Sequence, residues 1–395
     1  MEGVGSGFAV GTGPRIDPIP CADMFLAFRE MRRAKVRFGL LIGAVTLLVF
    51  LILFQQTLQN GLITAYVGGV RHQSAPILVF DIDGRRNLQN SVISADLERT
   101  IASVRGVGRS GRIGKRTFGT LVGGRTQATA LIGYEHEGLG SPTTLTSGRL
   151  PNQPGEGVAS EADAGDGYKI GDSLFVEPGD YEITIVGQAR DVSLSALPTV
   201  FTTYETFEKA VVAVDLKADP HPSVIGIEPA AGVSAAELVA RINAASDHLD
   251  ALTRSDAEAN APGVAAVRSS FLLVLGLYGL VVPLVMALFF LILTFQKANS
   301  LTLLRAIGAP AGRLVSSLMV QVLIVLGCGI GLGTLLYTPT SSQRLGRIPL
   351  RFETAAVVSW ATALVVLGVL SALFAVKRVL RIDPLAATAG TGLGA

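Results

Sequence analysis

Four stretches of this 395-residue chain carry no Asp, Glu, Lys or Arg, and their spacing constrains the fold more than any other feature. The first lies between Arg37 and Arg71, where residues 38–58 (FGLLIGAVTLLVFLILFQQTL) form one apolar block. After a long insert of mixed composition come 28 uncharged residues between Arg268 and Lys297, 30 between Arg313 and Arg344, and 23 between Glu353 and Lys377. A helix rises about 1.5 Å per residue, so about 20 residues cross a hydrocarbon core of about 30 Å, and each stretch is long enough. Core helices of soluble proteins seldom run past about 14 uninterrupted apolar residues. The pattern predicts four transmembrane helices, at 37–58, 268–296, 313–338 and 354–376. One precedes the insert and three follow it.

The first run is expected to persist as an anchor. Thirty-six residues precede it, too many for the basic region of a signal peptide, and no small-residue cleavage site follows Leu58 promptly. Cys21 has no apolar run before it and Cys328 lies within the third span, so a disulfide or a cysteine metal site is not expected. Lys and Arg set the orientation. Arg29, Arg32, Arg33, Lys35 and Arg37 precede the first span, Lys297, Arg305 and Arg313 separate the second from the third, and Lys377, Arg378 and Arg381 follow the fourth. These places, and both termini, are expected to be cytoplasmic. The insert and the loop at 339–353 then lie outside, although Arg344, Arg347 and Arg351 in that loop run against the rule. From Arg71 to Val267 the chain holds 17 Lys and Arg against 25 Asp and Glu, a net of −8 within an overall +2.

Residues 1–21, rich in Gly and Pro, read as a disordered lead. At 22–36, Met24, Phe25, Phe28 and Met31 share one helical face with the arginines off it, the pattern of an amphipathic helix on a membrane surface. The insert at 59–267 mixes strand and helix signals. PILVFDI (76–82), TALIGYE (129–135), YEITIVG (181–187) and SVIGIEP (223–229) read as strands. Leu97, Ile101 and Val104 fit one helix face, and Ser234 with Glu237 forms a capping box before another helix. The insert is long enough to bury its own core and is predicted to be an α+β domain of one lobe or two. Pro283 removes a hydrogen bond from the second span. In the third, Gly327, Gly329, Gly331 and Gly333 make two overlapping Gly-x-x-x-Gly pairs, which serve either as a close helix seam, within the bundle or between two copies, or as ordinary membrane glycine.

GVGRSGRIGKRT (106–117) imitates a nucleotide-binding loop without its chemistry. No clear strand precedes Gly106, Gly108 and Gly111, and Arg116 stands where a phosphate loop needs Ser or Thr for magnesium. No nucleotide or other cofactor is expected on this chain, so nucleotide energy would come from a partner. Arg105, Arg109, Arg112, Lys115 and Arg116 fall in a stretch without carboxylates, from Thr100 to Tyr134. They form either a patch for an anionic ligand or headgroup, or a solvated loop partly neutralised by the nine carboxylates between Glu156 and Asp191. The four histidines are scattered, and no metal site, catalytic constellation or nucleic-acid surface is expected. Between the second and third spans, SLTLLRAIGAP (300–310) places Leu301, Leu304 and Ile307 on one helix face, with Gly308 suited to end the helix and Pro310 to start the next. A short stiff helix there, in the loop at 297–312, is suited to take force from a docked protein; otherwise it is a tight turn.

LLRAIGAP resembles the signature loop of the FtsX-like permeases of ABC transporters, the group that includes MacB-type exporters and lipoprotein-releasing permeases. LAFREMRRAKVRFGLL (26–41) is similar to that family's first helix, and KRVLRIDPLAATAG (377–390) to its C-terminal Arg-x-Asp-Pro-x-x-Ala ending in the tail at 377–395. GRLPNQPGEGVASEADAGDGYKIGDSLFV (148–176), followed by YEITIVG, resembles its periplasmic core. The resemblance implies a non-catalytic subunit that pairs with a second copy of itself and with cytoplasmic ATPase subunits carrying the ATP and magnesium. It also implies a contact for the ATPase through Leu301, Leu303, Leu304, Arg305, Ala306, Ile307 and Gly308, and an external adaptor or membrane-fusion protein as a further partner. Family members often carry an acidic residue just before this element. Here Asn299, Ser300, Leu301 and Thr302 stand there, so a salt bridge from that position does not carry over.

The leading expectation is a permease that exports or extracts an amphiphile, such as a lipid, lipopeptide, lipoprotein or drug. A second class is a signal relay whose external domain activates a cell-wall hydrolase without transport. Import of a polar solute fits less well, because the spans hold no charge at midplane to bind one.

Overall fold

The computed structural model describes residues 35–306, 311–340, 344–345 and 348–380. The lead at 1–21, the predicted surface helix up to residue 34, Ile307, Gly308 and the chain beyond 380 lie outside the described residues. Spatial proximity divides the chain into two units. One is helical and takes the chain up to Ile52, Leu277–Leu336 and the chain from Ala355; the other is mixed and takes Leu53–Gly276 with Tyr337–Thr354.

Helix α1 runs without a break over Lys35–Arg71, well past the predicted end of the first span at Leu58. The domain that follows contains, in chain order, β1 (Ile77–Asp81), α2 (Ala95–Ser103), β2 (Val107–Val122), β3 (Arg125–Tyr134), β4 (Leu145–Gly148), β5 (Glu156–Ser160), β6 (Ser173–Val176), β7 (Tyr181–Ala189), β8 (Thr199–Thr203), α3 (Tyr204–Val214), β9 (Val224–Pro229), α4 (Ala235–Ala245), β10 (Leu249–Thr253) and α5 (Arg254–Ala259). All ten strands join one sheet, in the order β10-β1-β9-β2-β3-β8-β5-β7-β4, with β6 bridging β2 and β7. The pairings are antiparallel except β3 with β8 and β5 with β7. The expected capping box is formed: Ser234 Oγ accepts from Glu237 N at 3.2 Å and starts α4.

Strand β1 is buried on both faces, which explains its continuous apolar run. Ile77 and Val79 pack with Ile225 and Ile227 of β9 under Ile101 of α2 and Leu238 and Ile242 of α4. Leu78 and Phe80 turn the other way, into a core with Ile113, Ile132, Phe201 and Val70 of α1. Each such side chain, fully buried, stabilises by about 1.5–3 kcal/mol.

The segment 106–117 is not a loop. It lies largely in β2, sixteen residues long, which pairs with β9 along its first half and with β3 from Ile113 onward. Gly and Arg are poor strand formers, so this pairing, not local preference, makes the strand. Gly123 and Gly124, both at positive φ, close the β2–β3 hairpin in a two-residue turn. Gly114 of β2 and Gly133 of β3 have a local function of their own: a Cβ on either would strike the Phe207 side chain of α3.

Three more long helices follow: α6 (Val264–Ala306, with Pro283 inside it), α7 (Ala311–Thr340) and α8 (Thr354–Leu380). A two-residue hairpin, β11 (Arg344–Leu345) with β12 (Ile348–Pro349), lies between α7 and α8. With α1 they make four helices long and apolar enough to cross a membrane. The predicted short helix at 300–307 is not separate. Its described residues continue α6 as far as Ala306, because nothing between Gln296 and Ala306 interrupts a helix.

The glycine repeat of α7 resolves into two faces. A Cβ on Gly329 would collide with Val45 of α1, and one on Gly333 would lie 2.7 Å from Val49, whereas Gly327 and Gly331 have nothing within 4 Å. One pair therefore lets α7 lie close against α1. Gly333→Ile is expected to lower the melting temperature of the detergent-solubilised chain, by overpacking worth about 1–3 kcal/mol. Gly331→Ile should leave it within a degree or two, and equal losses in both variants would refute the assignment.

Candidate functional site

The mixed unit joins the end of α1 to its domain through backbone. Gly68 allows this, since a Cβ there would strike the carbonyl of Asp191. Loop 191–197 closes on the helix: Ser195 N donates to Tyr66 O at 2.9 Å, Ala196 N to Ala65 O at 2.8 Å, and Gly69 N to Ser193 O at 3.0 Å. The carbonyls of Tyr66 and Ala65 have a second lone pair for the bonds from Ser195 and Ala196, whereas Gly69 gives its single N–H to the loop. The loop is held in an unusual shape, with Asp191, Ser195 and Ala196 at φ of 59°, 55° and 55°. A non-glycine residue in this region costs on the order of 1–2 kcal/mol, and persists where surrounding bonds dictate it. Leu194 Cβ lies over Gly69, and Leu194 N donates to Thr199 Oγ1 at 2.8 Å, tying the loop to β8.

A second joint lies beside it. The guanidinium of Arg351, between β12 and α8, meets Asp191 at 2.9 Å and Glu161 at 3.5 Å, and Arg190 approaches Glu161 at 3.7 Å. The Arg351 carbonyl accepts from Tyr337 Oη at 3.0 Å, and that hydroxyl also meets Thr57 of α1. Asn60 of α1 donates to both carboxylate oxygens of Glu353 at 2.8 Å. Gly61 is a second close approach, where a Cβ would strike the carbonyl of Pro349. Thr57, Asn60, Asp191, Arg351 and Glu353 line a polar cleft of about 200 Å³, with His72 beside them. Burial lowers the His72 pKa, against the opposing pull of Asp191, which favours the neutral imidazole near pH 7.

The arginines that break the charge rule in the loop at 339–353 thus divide. Arg351 is an ion-pair partner of the domain, Arg344 lies in β11, and Arg347 is outside the described residues. This joint was not read from the sequence, yet it left two traces there: the anomalous arginines, and Gly68-Gly69 in a helix where glycine costs about 1 kcal/mol per residue.

The basic stretch is dispersed. Arg109 pairs with Glu228 at 2.9 Å, and Arg112 binds both oxygens of Glu98 at 2.8 and 3.1 Å, which raises the Arg112 pKa. Neither carboxylate comes from the 156–191 stretch expected to neutralise them. Arg116 lies over the Phe118 ring, 5.8 Å from its centroid. Arg105 offers its carbonyl to Arg241. Strand alternation sends Lys115 to the opposite face from Arg112 and Arg116, where it is only 7% exposed. Leu301, Leu303, Leu304, Arg305 and Ala306 form the end of α6. Among the described residues no group of His, Cys, Asp and Glu could hold a metal ion.

Four long apolar helices and an α+β domain inserted after the first define a multi-pass membrane protein. Comparison along the chain shows what it is similar to. No family model matches the sequence. The chain is 20% identical over 378 residues to the putative hemin transport system permease protein HrtB of Staphylococcus haemolyticus, covering 93% of this chain and 99% of that protein. It is 24% identical over 373 residues to the uncharacterized ABC transporter permease Rv0072 of Mycobacterium tuberculosis, with the same coverage. Its homologues are ABC transporter permeases, the class to which the LLRAIGAP resemblance pointed. Among solved structures, the periplasmic region of MacB from Actinobacillus actinomycetemcomitans aligns with 47% of this chain and 92% of its own length, at 15% identity and a TM-score of 0.34. The extracellular domain of the noncanonic ABC-type transporter YknZ aligns with 45% of this chain and 99% of its own length, at 10% identity and a TM-score of 0.31.

Arg351→Ala takes the guanidinium from Asp191, which is only 17% exposed, while Glu161 keeps Arg190 at 3.7 Å. Because the guanidinium itself is 42% exposed, solvent screening limits the expected loss to about 1–2 kcal/mol. A double-mutant cycle of Arg351→Ala with Asp191→Asn, read by thermal denaturation in detergent, should show coupling above about 0.5 kcal/mol. Simple additivity would dissolve the pair.

Proposed function

We propose that the chain is the membrane subunit of an ABC transporter in which a separate cytoplasmic ATPase drives movement of the α+β domain, so as to export or extract an amphiphile. The observation that carries this reading is the joint at Gly68–Gly69. An unbroken 37-residue helix ends in backbone hydrogen bonds to its domain, so a shift or rotation of the helix is delivered to the domain without a flexible linker. The continuous α6 supports the same reading from the other side, because LLRA closes a 43-residue helix that starts at the domain's last residues. In this account the domain lies outside the cytoplasmic membrane, the termini and the 297–312 segment lie inside, and a second copy completes the transporter.

The cargo class follows from what the apolar helices lack. With no charge at midplane to bind a polar solute, an amphiphile taken from the membrane or its outer surface fits best. HrtB carries hemin transport in its name, and hemin is itself amphiphilic. The relay reading predicts ATP-driven domain motion without any extraction.

The test replaces Leu304 and Ile307 by Asp together and measures ATP hydrolysis by the co-purified ATPase in lipid nanodiscs. Stimulation of the ATPase by the permease should be abolished while the permease keeps its melting temperature. Retained stimulation would place the contact elsewhere.

A further inference from the structure

Lys115 of β2 is buried at the base of a separate cleft in the mixed unit. Its Nζ donates to Gln89 Oε1 and, at 3.2 Å, to Thr117 Oγ1, both neutral acceptors. Arg86, the other cation of the cleft, is taken by Asp250 at 2.7 Å. A buried ammonium that meets only neutral acceptors is costly to keep charged, and one of its three N–H donors is left over for a further acceptor. Part of the cleft wall is apolar, made by Tyr66 and Val70 of α1, Leu88, Leu194 and Pro262, and the rest is polar, with Asn87, Gln89 and Ser195. It holds about 80 Å³, room for a small anionic group but not for a large solute.

We propose that this cleft binds the anionic head of an amphiphile, with Lys115 as its counter-ion and the apolar part of the wall against the first carbons of its tail. A small, doubly charged inorganic anion satisfies Lys115 but gains nothing from the walls. A zwitterionic head brings its own cation beside Arg86 and Lys115. Binding here stands apart from transport; only calling the bound amphiphile cargo rests on the export reading.

The charge of Lys115 sets the pH dependence. Burial lowers its pKa to about 8, and the groups facing it are Gln89, Thr117 and the Arg86–Asp250 pair. The ammonium is present at pH 7 and mostly lost at pH 9, so affinity for an anion of constant charge should fall about tenfold across that range.

The experiment uses the full chain in phosphatidylcholine nanodiscs, titrated calorimetrically with dihexanoyl phosphatidylglycerol, dihexanoyl phosphatidylcholine and inorganic sulfate. Phosphatidylglycerol should saturate one site per chain, with the other two at least tenfold weaker. Lys115→Met should weaken phosphatidylglycerol at least tenfold, with the melting temperature kept or raised. Lys115→Arg should keep binding within a few fold and lose the pH dependence. Equal affinity of Lys115→Met and the parent, or of the two lipids, overturns the proposal. Sulfate binding as tightly as phosphatidylglycerol overturns the amphiphile and leaves a free-anion site. Because no ATPase enters this measurement, a failure of the transport reading leaves its outcome unchanged.

Discussion

The close approach of loop 191–197 to the last turns of α1 is the constraint on which the mixed unit depends. Gly68 removes the side chain that would hold the loop away, and Ser195, Ala196 and Gly69 then join the two backbones. The loop accepts three left-handed non-glycine residues to do so, strain on the order of a few kcal/mol in total that the new bonds offset. Val70 and Leu194 enter the same core as Leu78, Ile132 and Phe201, so the helix end is part of the domain's interior and not a tether hung from it. The Arg351 ion pairs fix the same loop at Asp191.

What could be read in advance was set by local chemistry. Apolar runs declare long helices because hydrophobicity is a property of each residue, and β1 or β9 declare themselves by β-branched content. Strand β2 did not, since its glycines and arginines describe neighbours distant in sequence: Phe207 over Gly114, Glu98 beside Arg112, Glu228 beside Arg109. Lys115 looked like one more member of a basic run until strand alternation turned it inward. The end of α6 looked like a separate element because a sequence motif has edges where a helix need not. The joint itself was nearly invisible, for it is made of backbone, and backbone leaves only glycines behind as a trace.

Seen through the joint, three features of the mixed unit have related roles. The cleft over Lys115 and the hydrogen-bonded loop share Tyr66, Leu194 and Ser195. An amphiphile bound in that cleft therefore touches the same residues through which α1 would move the domain. The polar cleft at His72, Asn60 and Arg351 braces the helix from another side. Cargo recognition and force transmission, in this account, meet on one short loop.

The most direct measurement of the central claim is amide hydrogen exchange at Ser195, Ala196 and Gly69 in the complex of this chain with its ATPase, compared with and without ATP. A joint that carries motion has to stay closed through the cycle, so these three amides are predicted to exchange equally slowly in both states while amides elsewhere in the domain change. Faster exchange at all three during ATP turnover would mean that the joint opens, and a helix whose joint opens cannot be what moves the domain.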